Sequence, residues 1–110
     1  MAVRSTRRTE SRRNVPATDR AACERAAAIF RALGEVSRLE VLVLLSRGEL
    51  CVTDIAAAVG DNLPAVSQRL KLLRSERIVR QRREGKHMHY SLADRHVAEL
   101  IANALQHARE

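Results

Sequence analysis

Aromatic side chains are almost missing from this sequence: Phe30 and Tyr90 are the only two in 110 residues, and there is no tryptophan. A core must therefore be assembled from Ala, Val, Leu and Ile, which favours closely packed helices over a β-sandwich. Cysteine is scarce too, and Cys23 and Cys51 alone make no disulfide framework. Long apolar runs are also wanting. The stretch Val41-Leu42-Val43-Leu44-Leu45 is five residues long, far short of the roughly 20 that a spanning helix requires. The basic N-terminal stretch leads into no apolar run and is interrupted by Val15-Pro16, so no signal peptide is predicted and the expected compartment is the cytoplasm.

What is present is positive charge, and it is clustered. The formal net charge is +7. Residues 1–17 carry five arginines (Arg4, Arg7, Arg8, Arg12 and Arg13) against Glu10; rich in Arg, Ser and Thr and without periodicity, they read as a disordered basic arm. Residues 69–86 hold Arg69, Lys71, Arg74, Arg77, Arg80, Arg82, Arg83 and Lys86 against Glu76 and Glu84, a local net of +6. The remainder is slightly acidic. Such concentration suits a surface that tracks phosphates, because each neutralised phosphate releases counterions; a solvated basic face is the alternative.

Residues 18–110 read as one domain, small enough that self-association would help to stabilise it. Thr18 or Asp19 caps a first helix whose stripe is Ala22, Ala26, Ile29, Phe30 and Leu33, and Gly34 ends it. Ser37 is the expected cap of a second helix over 38–46, with Leu39, Leu42, Val43 and Leu45 inward. Thr53 is the expected cap of a third, short helix ending at Gly60. Asn62 caps a fourth, which tolerates Pro64 in its first turn, runs to about Arg77 and buries Val66, Leu70 and Leu73. Two helices separated by Gly60-Asp61-Asn62 make a helix-turn-helix. Two basic strands around Arg83-Glu84-Gly85-Lys86 then make a hairpin, with Met88, Tyr90 and Leu92 on one face. Asp94 caps a last helix. The predicted class is mainly α with a small β-hairpin: a winged helix-turn-helix, working as a homodimer.

In that architecture the start of the fourth helix enters the major groove of double-stranded DNA. Ser67, Gln68 and Arg69 supply hydrogen-bonding groups there, and Leu63, Ala65 and Val66 are placed to touch thymine methyls. Lys71, Arg74, Arg82, Arg83, Lys86 and His87 suit phosphate or minor-groove contact.

The last helix carries a second pattern. At 100° per residue, His96, Leu100, Asn103, His107 and Glu110 fall within roughly 80° of one another, beside an apolar strip of Val97, Ile101, Ala104 and Ala108. His107 and Glu110 are spaced to grip one ion, and so are Asp94 and His96. Eleven residues separate His96 from His107, about 16 Å of helix, so the pairs cannot meet in one chain. Antiparallel packing of two such helices brings them together and makes two equal sites per dimer. Four N/O ligands suit tetrahedral Zn²⁺, with Co²⁺ as a mimic. Interface polarity or plain exposure would also explain these histidines.

Three segments carry a resemblance: Glu49-Leu50-Cys51-Val52-Thr53-Asp54-Ile55-Ala56, then Pro64-Ala65-Val66-Ser67-Gln68-Arg69-Leu70-Lys71-Leu72-Leu73, then Arg83-Glu84-Gly85-Lys86 leading to Tyr90-Ser91-Leu92. Over roughly residues 26–110 the chain resembles the ArsR/SmtB metalloregulators. Asp94-x-His96 with His107-x-x-Glu110 is similar to the intersubunit zinc site of their zinc sensors. The resemblance implies a winged-helix homodimer joined through its first and last helices. It implies an apo form that represses by binding an operator and a metal-bound form that lets go. It also implies that His107, through its second ring nitrogen, contacts backbone near Arg77, coupling site to reading head. Cys51-Val52-Thr53 lacks the thiolate pair of the arsenic sensors. A second, softer site would use Cys51 and Asp54, but the arm offers it no Cys or His. A thiol switch between Cys23 and Cys51 is the competing mode of regulation. An enzyme is not expected: four ligands leave a catalytic zinc no open position, and no nucleophile motif or phosphate loop accompanies them.

Overall fold

The computed structural model describes residues 18–110, so the expected disordered arm 1–17 lies outside the described residues. Helix α1 (Arg20–Leu33) starts where the Asp19 carboxylate accepts from the Ala22 N–H at 3.0 Å and stops at Gly34. Helix α2 (Val36–Leu45) begins before the expected cap Ser37. Glu35 is the cap: its carboxylate accepts from the N–H groups of Ser37 and Arg38 at 3.0 and 3.1 Å. Those bonds hold the Glu35 carboxyl below the usual carboxylate range. Arg38 then donates to the Ala32 and Arg31 carbonyls at 2.7 and 3.2 Å, tying the end of α1 to the start of α2.

Strand β1 (Leu50–Cys51) was not foreseen, since two residues carry no periodicity. Helix α3 (Val52–Val59) starts directly after it, with Cys51 and not Thr53 at the cap position and no side-chain cap bond. Gly60 closes α3 at φ 71, a left-handed backbone that suits glycine. Helix α4 (Leu63–Ser75) is capped by Asn62, whose amide oxygen accepts from Ala65 at 2.8 Å. It ends short of Arg77. The Arg77 N–H reaches Arg74 O and the Ile78 N–H reaches Leu73 O, both at 2.9 Å, which is the Schellman pattern with Arg77 in the position glycine normally holds.

Strands β2 (Val79–Glu84) and β3 (His87–Leu92) pair antiparallel from Val79 opposite Leu92 to Glu84 opposite His87. Only Gly85 of the two turn residues has positive φ, the arrangement of a type II′ hairpin. β1 joins on the other side of β3, with Leu50 opposite Tyr90 and Cys51 opposite His89, so the wing is a three-stranded sheet in the order β1-β3-β2. Helix α5 (Arg95–Arg109) is capped by Asp94, which accepts from Val97 at 3.0 Å.

Val41, Leu42, Ile55, Val66, Leu70, Leu73, Ile78 and Ile101 are each less than 2% exposed and draw α2, α3, α4, α5 and the residue that leads into β2 onto one nucleus. Burying each such side chain stabilises the fold by about 1.5–3 kcal/mol. Two expectations shift here. Val41 belongs to the α2 core, whereas Phe30 of α1 stays 60% exposed. On α5 the inward strip is Val97, Ile101 and Leu105, while Ala104 and Ala108 face outward.

Candidate nucleic-acid interface and metal-ligating residues

Burial of Val66, Leu70 and Leu73 decides which side of α4 is free. Leu63, Ser67, Gln68 and Lys71 are exposed, with Leu63 at 45%. Val66 is a correction. Completely buried, it secures α4 to the core and presents no methyl to DNA. Arg69 is only half free, because its guanidinium is bonded to the Asp61 carboxylate in the turn before α4. That bond, with the Asn62 N–H, holds the Asp61 carboxyl below its ordinary value.

The wing divides in the same way. Arg83, Lys86 and His87 are exposed. Arg82, expected among the phosphate contacts, gives its guanidinium to two carboxylates: a fork onto Glu49 and a 2.7 Å bond to Glu84. Both carboxyls are held below the usual range, chiefly by those bonds, and Arg82 is held more firmly protonated. On the opposite face of the sheet, Gln81 joins wing to helix. With its amide oxygen turned toward Arg74 it accepts at 2.7 and 3.1 Å, and its amide nitrogen donates to the Tyr90 hydroxyl at 3.2 Å. Neither Glu49 nor Gln81 is legible in the sequence, since nothing in its pattern links position 49 to 82 or 74 to 81.

The metal-ligating candidates form two pairs. At the start of α5, His96 Nδ1 is 3.7 Å from Asp94 Oδ1; at its end, His107 Nδ1 is 3.7 Å from Glu110 Oε1. The histidine side chains are 83% and 88% exposed. Donors bound at about 2.0–2.1 Å to one tetrahedral zinc stand roughly 3.4 Å apart, so each pair is already spaced for a shared ion. Among the described residues no group of three or more His, Cys, Asp and Glu converges within one chain. That holds for the two residues a softer site would use as well: Cys51 is half-buried beside the Thr53 hydroxyl at 3.1 Å, and Asp54 is exposed in the first turn of α3. Cys23 is an exposed free thiol on α1. Asp94 and His96 share an open groove of about 530 Å³ with Arg77, Arg25 and Ile29, so the front of α5 and the end of α4 face one another.

A helix-turn-helix followed by a basic, sheet-backed hairpin defines a winged helix-turn-helix transcription regulator. Residues 35–81 match the family of bacterial regulatory proteins named for arsR. A transcriptional repressor described as an SmtB homolog, from Synechocystis, is 46% identical over 84 residues, covering 76% of this chain and 64% of that protein. A homolog of CadC, the cadmium resistance transcriptional regulatory protein, from Staphylococcus aureus is 40% identical over 85 residues, covering 76% and 70%. The solved homodimeric winged helix-turn-helix DNA-binding domain from Mycobacterium bovis superposes with TM-score 0.79 at 38% identity, over 87% of this chain and 91% of that one. The chain belongs to the ArsR family of transcriptional regulators. Among the described residues no helix is long and apolar enough to cross a membrane.

Proposed function

We propose that this chain is a metal-responsive repressor whose apo homodimer binds operator DNA and is released by zinc, or cobalt, at two intersubunit sites. The observation that carries the reading is the pair of two-donor grips, each at 3.7 Å, at opposite ends of one helix, with both histidines exposed. Each site takes Asp94 and His96 from one protomer and His107 and Glu110 of the partner subunit. Two nitrogens and two carboxylate oxygens fit zinc's preference for four-coordinate N/O ligation. The exposed Ala104 and Ala108 give the helices small side chains at which to approach. A zinc ion so held supplies bonds that cross-link the two tail helices. Asp94 holds the start of α5 through its bond to Val97. His96 faces the groove that contains Arg77, so His107 of the partner subunit, sharing an ion with His96, would be brought toward the backbone that ends α4. The relatives named for cadmium resistance and as an SmtB homolog support metal as the signal.

The test is an electrophoretic shift of operator DNA with and without zinc. Zinc lowers affinity at least tenfold, equivalent to about 1.4 kcal/mol of coupling. His96→Ala and His107→Ala each remove that response and leave apo binding intact. Operator affinity indifferent to zinc refutes the sensor reading.

A further inference from the structure

Of the eight basic side chains between residues 69 and 86, Arg82 is the one held by two carboxylates from different parts of the chain. β1 and β2 are the two edges of the sheet, with β3 between them. Arg82, His89 and Cys51 stand in one row across it. Glu49, just before β1, lies two strand spacings from β2, about 9.6 Å, a gap that an arginine and a glutamate side chain fill together. Arg82 therefore crosses over β3 to reach it, with Nε and one terminal nitrogen on the two Glu49 oxygens and the other on Glu84 at 2.7 Å. β1 runs directly into α3, the first helix of the helix-turn-helix. The contact thus straps the far edge of the wing to the element that carries the reading head.

We infer that Arg82 is a positioning residue of the DNA interface, not a phosphate ligand: with Glu49 it fixes the angle of the wing to the helix-turn-helix, and Arg83 and Lys86 at the tip touch the backbone. The geometry accounts for an otherwise awkward fact, that two carboxylates sit on a wing meant to approach a polyanion. Arg82 covers both. The inference rests on the DNA-binding reading and names which cations serve it.

The experiment measures affinity against salt for a duplex recovered from a random-sequence pool by the wild-type dimer. Each lost phosphate contact flattens the log–log slope by about 0.9. Arg83→Gln and Lys86→Gln do so. Arg82→Gln weakens binding about three- to fivefold, the scale of an exposed ion pair, with the slope unchanged. Arg82→Lys, which keeps the charge and loses the fork, also weakens binding at unchanged slope. Glu49→Gln, a change outside the core that keeps the inference testable should Arg82→Gln fail to fold, weakens binding by a similar factor, and combining it with Arg82→Gln adds nothing. Charge alone demands the opposite sign, since removing a carboxylate beside DNA tightens binding. A flattened slope for Arg82→Gln, or tighter binding by Glu49→Gln, overturns the inference. Failure of the wild-type dimer to recover any duplex sinks the DNA-binding reading itself, and the strap with it.

Discussion

Arg77 has φ 60 and is the only described non-glycine residue with positive φ. A left-handed L-residue costs roughly 1–2 kcal/mol, and the Schellman bonds around it are those that glycine makes without that cost. Arg77→Gly is expected to raise stability by about 1 kcal/mol in urea titration, with the slope of the transition unchanged. The Arg77 backbone is also the place the proposed coupling reaches, so the same variant reports whether strain there tunes zinc response. Asp61 makes a second prediction. Its carboxyl is lowered by Arg69 and by the Asn62 N–H, so its contribution is complete above its unfolded pKa and fades as pH falls through the lower folded value. Asp61→Asn should then lose unfolding temperature less steeply than wild type below about pH 4, measured by scanning calorimetry.

Helix starts carried by a short polar side chain were readable: Asp19, Asn62 and Asp94 each cap the helix they precede. Asn62→Ala should cost about 1 kcal/mol of stability, and Leu70→Ala about 2–5 kcal/mol through the cavity left in the core; chemical denaturation measures both. Glu35 hid because a longer carboxylate curls back to do the same work, displacing Ser37 from the role. β1 hid because two residues have no period to read, and its existence depends wholly on β3 alongside. Of the DNA candidates, the solvent-facing side of α4 followed from helical periodicity, which also placed Val66 inward. The partners of Arg69 and Arg82 did not follow, since ion pairs across 8 and 33 residues leave no local pattern.

At the scale of the whole molecule, the proposed sensor needs two chains. The donor pairs of α5 sit at its two ends, separated by about 16 Å of helix, and among the described residues neither finds a third ligand in its own chain. Phe30 and Val36 are 60% and 73% exposed, apolar surface of the kind that self-association covers. The sequence carried the spacing of Asp94, His96, His107 and Glu110 because a helix converts spacing directly into direction. It did not carry the groove that puts Asp94 and His96 opposite Arg77, since that depends on how α4 and α5 pack.

The intersubunit claim has a direct test in mixed dimers. His96→Ala and His107→Ala homodimers each lack both sites. A heterodimer of the two variants pairs the intact His96 of one chain with the intact His107 of the other and has one whole site. Zinc titration of that heterodimer should recover one tight ion per dimer where neither homodimer binds any. No recovered site, or an undiminished zinc stoichiometry in either homodimer, would contradict the account.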